Sequence, residues 1–327
     1  MRVGAPRHPA LRGVVRFVWA GEARPVAWTR ERIVPTGQMH LAWRTGPTAI
    51  RLGWDGAQVE RCGVVGGPRV VAHVHDTSPG ARSVGVALLP GAGSRVLGVP
   101  ARALAGMHVG LEALWGREAR WLQEQLEAAD DAEAVALVEA ALVARLRPGA
   151  TPPGLGRALV ALEEGVAVAE VAKRLGRSAR TLGGWMDDAV GLSPAAWTRV
   201  RRLQRALTLA ADEPDGAALA QAAGYYDQAH LCREIKAIVG VTLGDWRGHP
   251  SGEPNHVPVW EAGPGAPTGK SPVAALPIRV ASLRCGVSTG IEPVFAPAPG
   301  DACVSLRSSV RLSGRRSSGC GGAGWPG

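Results

Sequence analysis

Two stretches of the chain gather side chains able to do chemistry. In the first, "AHVHD" (residues 72–76), His73 and His75 stand two residues apart. On a β-strand that spacing turns both imidazoles to one face. With Asp76 next in line and His40 in "QMHLAW" as a third nitrogen, the pattern fits a metal-binding β-barrel or an enzyme built on one. A His-x-His pair has a high false-positive rate, however, and spacing assigns it no clear carboxylate ligand. The second stretch, "GYYDQAHLCREIKAIVG" (residues 224–240), holds two tyrosines, an Asp-Gln pair, a histidine and a cysteine ahead of two cations. His230 has no nucleophile nearby and no carboxylate beyond Asp227, so it reads as a polar contact and not as a catalytic base. Cys232 has no charged activator in sequence and reads as a small half-buried thiol. Phosphate-binding glycine loops, Gly-x-Ser-x-Gly elbows and supported Cys-His pairs are missing from the sequence.

The totals narrow the setting. At 327 residues the chain is long enough for about two domains. No apolar run reaches the ~18–20 residues of a membrane span, and the N-terminus lacks the pattern of a signal peptide, so a cytoplasmic location is expected. Five cysteines, odd in number and without a Cys-x-x-Cys, support neither a disulfide framework nor a cysteine-rich zinc site. The net charge of +9 divides as +5 over residues 1–150, +1 over 151–247 and +3 over 248–327. A basic total suits a nucleic-acid partner or a solvated surface equally well.

The elements that must position these residues differ along the chain. Short apolar or alternating runs broken by Gly and Pro, such as "RFVWA", "HLAWR" and "SVGVALLPG", predict β-strands of a small barrel or sandwich, a β-rich, barrel-like domain over residues 1–110. Trp19, Trp28, Trp43 and Trp54 either line a pocket there or fill its interior, and filling is the better expectation. From residue 111 to 150 apolar spacings of three and four predict helices that complete this domain or form a dimer seam. Residues 151–247 read as helical throughout. Over residues 248–327, 35 of 80 residues are Gly, Pro or Ser, which predicts a disordered tail whose Arg307, Arg311, Arg315 and Arg316 are solvated.

The helical region repeats a layout. Ala172, a small residue for a close helix crossing, is followed by Gly176 for a left-handed turn. Ser178 then caps a helix with Leu182, Trp185, Met186 and Ala189 on one face. The same order returns with Ala220, Gly224, Asp227 and the face Leu231, Ile235 and Ile238. Between them Ser193-Pro194 opens a helix with Trp197, Val200, Leu203, Leu207 and Ala210 on one side and Arg199, Arg201, Arg202 and Arg205 on the other. Helix, glycine turn, cap and amphipathic helix is the helix-turn-helix layout. Two such units on a rigid spacer suit successive major grooves about 34 Å apart.

Residues 155–247 resemble the tandem helix-turn-helix domain of AraC-type transcription regulators. The resemblance rests on "VAKRLGRSARTL", "VGLSPAAWTRVRRLQRAL" and "AAGYYDQAHLCREIKAIVGVTLGDW". The preceding part is similar to the sensor-like domain found before this module, in "RIVPTGQMHLAW", "AHVHDTSPG", "SVGVALLPGAG" and "LGVPARALAGMHVGLEALWG". The resemblance implies double-stranded DNA as partner. A small-molecule effector at the N-terminal domain, a second copy of the chain and RNA polymerase are further candidate partners, with no membrane.

The reading residues follow from helix geometry at 100° per residue. With Leu231 inward, Ala229, Cys232, Arg233 and Lys236 lie opposite, and Gln228 and His230 sit at the helix start, the end that approaches base edges. Arg233 suits guanine and Gln228 adenine, while Lys236 and Tyr226 suit phosphates. In the first unit the outward set is Arg180, Gly183, Gly184, Asp187 and Asp188, which leaves Arg180 as its one reader. The sequence therefore predicts an α+β chain with an all-α C-terminal DNA-binding domain whose second unit does most of the reading. No catalytic residue, cofactor or metal is assigned. The competing readings are a metal-binding barrel or enzyme using the His-x-His pair and an interaction module with a degenerate helix-turn-helix.

Overall fold

A computed structural model of the chain describes residues 1–23, 25–46, 49–52, 58–77, 80–148, 151–249 and 255–259. These fall within one compact unit, Met1–Ala281. Trp54, Cys285, Cys303, Cys320 and the arginines at 307, 311, 315 and 316 lie outside the described residues.

The strands in chain order are β1 (Arg2–Gly4), β2 (Val15–Glu22), β3 (Arg30–Ile33), β4 (His40–Thr45), β5 (Ile50–Leu52), β6 (Gln58–Glu60), β7 (Val64–Gly66), β8 (His73–Asp76), β9 (Arg82–Leu88), β10 (His108–Gly110) and β11 (His256–Val259). They build two open, antiparallel sheets, ordered β1-β2-β9-β4-β7-β10 and β11-β3-β8-β5-β6. Of the expected barrel or sandwich, the two sheets form the open arrangement and not a closed barrel.

Helices follow the same order: α1 (Gly93–Leu97), α2 (Leu111–Trp115), α3 (Arg117–Ala128), α4 (Asp131–Arg145), α5 (Leu155–Glu163), α6 (Val168–Arg174), α7 (Ala179–Ala189), α8 (Pro194–Leu209), α9 (Gly216–Ala223), α10 (Gln228–Val239) and α11 (Leu243–Arg247). None is long and apolar enough to cross a membrane among the described residues.

Alternation along β4 explains the layering. Leu41 and Trp43 point one way, into a core shared with Leu111, Trp115, Leu122, Leu126, Val138 and Leu142 of α2–α4. So the 111–150 helices cover the outer face of the first sheet, and Trp43 meets Trp115 there at 6.2 Å between ring centroids. His40, Ala42 and Arg44 point the other way, toward the second sheet. That inter-sheet layer holds only a small apolar cluster of Ile50, Leu52, Val64 and Ala42. Much of the rest is polar: Arg44 donates to Asp76 of β8 at 3.0 Å, tying one sheet to the other. Trp19 also lies off the main core, donating to Ser83 Oγ at 3.0 Å, while Trp28 is buried.

One departure from expectation has a plain physical cause. Residues 256–259, inside the segment predicted to be a disordered tail, pair with β3 from His256 opposite Ile33 to Val259 opposite Arg30. A four-residue strand leaves too weak a periodic signal to stand out in a Gly/Pro/Ser-rich stretch, and its partner lies more than 200 positions away.

Tight strand packing gives a direct test. A Cβ on Gly85 would lie 2.2 Å from the Trp19 ring and 2.4 Å from the Leu41 carbonyl oxygen, whereas one on Gly4 would meet nothing within 4 Å. Gly85→Ala is expected to lower unfolding free energy by about 1–3 kcal/mol through overpacking, and Gly4→Ala by less than about 0.5 kcal/mol; urea denaturation of the two variants measures both.

Candidate nucleic-acid interface

The two helix-turn-helix units are built as their capping residues dictate. Ala172 and Ala220 are both buried at helix crossings. Gly176 and Gly224 take φ of 64° and 83°, the left-handed conformation that a side chain resists. Ser178 Oγ accepts from Thr181 N at 3.1 Å to start α7, and Asp227 accepts from His230 N at 2.6 Å to start α10. Ser193 caps α8 in the same way, with Pro194 in its first turn.

Helix α8 joins the units. Trp197 enters the core of the first, while Leu203, Ala206 and Leu207 enter the core of the second. Its basic side is not a free phosphate-binding face. Arg199 Nε and Arg202 Nη2 donate to the buried Glu234 of α10 at 3.1 and 3.2 Å. Arg201 donates to Glu163 of α5 at 2.6 Å and Arg205 to the Glu163 carbonyl at 2.5 Å. Arg202 also stacks 4.6 Å above the Tyr225 ring. Burial pushes the Tyr225 phenol up to about 12, in keeping with a core aromatic.

The sequence-predicted reading residues divide between two helices. Tyr226, Gln228, His230, Arg233 and Lys236 all sit on α10 or the turn before it, and Arg180 stands apart near the start of α7. Tyr226 is 93% exposed. Arg233, Lys236 and Arg180 are exposed, and no ion pair to them occurs among the described residues. Gln228 lies across Gly216, the first residue of α9, where a Cβ would come within 2.4 Å of its amide nitrogen. His230 is half-buried, its ring edge-on to Tyr225 at 5.2 Å. A groove beside α10 is lined by Gln228, Cys232 and Lys236 with Thr242, Leu243, Gly244 and Arg247 of the following turn and helix.

The first unit differs from the outward set read off the helical wheel. Asp188 does not face solvent alone but forms an ion pair with Arg102, in the 3-10 turn Ala101–Leu104 of the N-terminal domain. Just past α7, Gly191 fits against Pro68 and the Ala101 carbonyl, where a Cβ would come within 2.7 Å. Helix α7 is thus anchored at its C-terminal end to the β-rich domain. Gly183 and Gly184 face open space, and Arg177 stacks on Trp185 at 5.6 Å.

The histidines weighed as ligands are also brought together. His40 of β4 and His108 of β10 flank Gly66 of β7 in one cross-strand row. A Cβ on Gly66 would fall 2.1 Å from the His40 ring, so only glycine leaves room for that imidazole. His73 faces them from the second sheet, 4.4 Å from His108 and 6.3 Å from His40 between ring centroids. Arg69 Nη2 lies 2.7 Å from His108 Nδ1. Burial, then the Arg69 charge, holds His40 down at about 4 and keeps His108 well below the ordinary histidine value, and burial, then His108 and Arg69, does the same to His73. Asp76, expected beside the pair, is taken by Arg44 instead. His75 turns to partners that spacing could not find: its Nε2 lies 2.8 Å from Oε1 of Glu31, and Nδ1 of His256 lies 2.8 Å from the same oxygen.

A family model described as "Helix-turn-helix domain" matches residues 171–249, and one described as "Domain of unknown function (DUF6597)" matches residues 5–110. No curated protein matches the chain. Among solved structures, ToxT from Vibrio cholerae is 10% identical with a TM-score of 0.39, over 69% of this chain and 96% of ToxT. Unsaturated fatty acid-bound wild-type ToxT from Vibrio cholerae strain SCE256 is 10% identical with a TM-score of 0.38, over 72% and 94%. Likeness this distant carries no inference about ligand or partner.

The contrast between Glu234 and Arg233 is testable. Glu234→Ala leaves two arginines facing a buried void and is expected to cost about 2–3 kcal/mol, below the roughly 3–5 kcal/mol of a fully buried broken pair because Arg199 is partly solvated. Arg233→Ala, at an exposed helix position, is expected to change stability by less than about 0.5 kcal/mol in the same denaturation assay.

Proposed function

We propose, from the premise that this chain carries an AraC-type helix-turn-helix domain at residues 171–249 behind an N-terminal domain of unknown function at residues 5–110, that it is a sequence-specific, double-stranded-DNA-binding regulator of transcription without catalytic activity. Its second unit does most of the reading. The observation that carries this is the division of cations: the four arginines of α8 are engaged within the fold, while Arg233 and Lys236 of α10 stand exposed beside the exposed Tyr226.

In this reading α10 enters the major groove by its N-terminal half. Arg233 contacts guanine through two parallel hydrogen bonds, and Gln228 swings off Gly216 to contact adenine. Lys236 and Tyr226 hold phosphates and set the register, and His230 adds a polar contact at the groove edge. Arg180 is the corresponding reader on α7. Its unit contributes less because two glycines present no side chain and Asp187 would meet the phosphates with like charge. The anchoring of Asp188 on Arg102 supports the same asymmetry, since it commits part of α7 to the N-terminal domain.

The experiment selects a duplex site from a random pool with the full chain and then compares variants on it. Arg233→Ala is expected to weaken binding by about 1–3 kcal/mol and to relax preference at one base pair. Arg180→Ala is expected to lose less, and affinity for both is expected to fall steeply with salt. Greater damage from Arg180→Ala would reverse the assignment of the two units, and binding insensitive to salt would remove DNA as the partner.

A further inference from the structure

Five of the chain's eight histidines, His40, His73, His75, His108 and His256, converge between the two sheets, and the DNA-reading unit uses none of them. They form two chemically different groups. The inner group, His40, His73 and His108, surrounds the Arg69 guanidinium, whose charge opposes a second cation. The outer group is His75 and His256 around the carboxylate of Glu31, an anion held by two imidazole nitrogens.

We propose that Glu31, His75 and His256 form a binding site for one divalent first-row transition-metal ion, such as zinc, and that the ion clasps β11 to the N-terminal sheet. The donor set of two imidazoles and one carboxylate suits such ions. The three ligand atoms all lie within 4.8 Å of one another. Metal–ligand bonds of about 2.0–2.2 Å in tetrahedral geometry place ligand atoms roughly 3.3–3.5 Å apart. Starting from the 2.8 Å separations around Glu31 Oε1, each imidazole needs to part from the carboxylate by about 0.5–0.7 Å, with the two imidazole nitrogens already within 4.8 Å of each other.

Sheet register brings the ligands together without any loop. His75 stands directly opposite Glu31, and His256, opposite Ile33, lies diagonally across from it on the same face. The carboxylate is largely shielded, with 13% of its side chain exposed. His75 and His256 are 25% and 42% exposed, which gives an ion a route in and leaves room for water to complete the coordination. On binding, the proton on each coordinating nitrogen passes to the other nitrogen of a neutral ring, or to solvent from an imidazolium, so each imidazole ligates as the neutral form and two hydrogen bonds to Glu31 give way to three bonds to the ion.

The ligands have structural consequence because of where His256 sits. Strand β11 follows the helix-turn-helix units in sequence yet belongs to the N-terminal domain's second sheet. The residue before it, Asn255, receives Gln204 of α8 at 2.8 Å through its side chain, and its carbonyl accepts from Val34 N at 2.9 Å. A short edge strand is weakly held by its own hydrogen bonds, so a metal bridging it to β3 and β8 would fix it in register.

The test uses tag-free full-length protein stripped with chelator and titrated with Co²⁺ and Zn²⁺. The expected result is one equivalent bound per chain, a d–d absorption band with Co²⁺ that Zn²⁺ bleaches, and slowed amide exchange in residues 30–33 and 256–259. His256→Ala and Glu31→Gln are each expected to weaken binding by at least about 100-fold, while His8→Ala, remote from the site, leaves it unchanged. Since Glu31→Gln could unfold the sheet, circular dichroism of His256→Ala, altered at the sheet edge, keeps the result interpretable. Stoichiometric binding that survives in folded His256→Ala, binding lost in His73→Ala but not in His256→Ala, or failure of the stripped protein to take up either ion would each overturn the proposal.

Discussion

Neutralising the basic side of α8 is the constraint on which the arrangement of both halves depends. A helix with four arginines on one side can turn them to solvent, to a polyanion or to partners within the fold. Here the partners are internal: Glu163 on α5, Glu234 on α10 and the Thr36 carbonyl ahead of β4. Gln204, between them, donates to the Pro35 carbonyl at 2.9 Å and to Asn255. One polar stripe therefore contacts both helix-turn-helix units, the loop leaving β3 and the residue leading into β11. Charge-assisted hydrogen bonds of this kind contribute about 1.5–3 kcal/mol when shielded and less where, as at Arg199, the side chain is partly wet. Their greater consequence is geometric, because each fixes α8 against a different element.

The same constraint accounts for the charge distribution. Residues 151–247 sum to only +1, which looks discouraging for a DNA-binding domain. Pairing resolves the difficulty, since a near-zero sum need not be an even surface. Glu163 and Glu234 are consumed by α8, and Asp188 is consumed by Arg102. What remains exposed on α10 is cationic at Arg233 and Lys236, while α7 keeps Asp187 near its end. Attraction to a polyanion depends on this residual pattern more than on the sum.

Legibility in the sequence follows the range of the interactions involved. Caps and turns are local, so Ser178, Ser193 and Asp227 and the left-handed Gly176 and Gly224 could be placed from residue type and spacing alone. The inward faces of α7, α8 and α10 follow from the 3.6-residue period. The strand order of the two sheets could not be read this way, because short alternating runs suit a barrel and a sandwich alike. Nor could the partners of charged groups be read. Asp188 lies on the outer side of α7 by periodicity, and only the docking of a distant 3-10 turn gives it Arg102. His73 and His75 were visible as a pair, but Glu31 is 44 positions from His75 and 225 from His256. No spacing rule spans such distances.

The inter-sheet layer shows why those long-range contacts matter. An open pair of sheets normally excludes water by filling the gap with apolar side chains. This domain places its large core on the other side of the first sheet, under α2–α4, and leaves histidines, Arg44, Arg69 and Asp76 between the sheets. Polar side chains in that position are costly unless each finds a partner. Burial and the Arg69 charge hold the inner imidazoles neutral. Around Glu31, burial alone would favour the protonated acid, yet the hydrogen bonds from His256 and His75 hold it well below the usual carboxylate range. One end of the layer is thus organised around a fixed cation and the other around a fixed anion. The polar interior is sorted by charge, and the strand beside its anionic end is supplied from beyond the helix-turn-helix units.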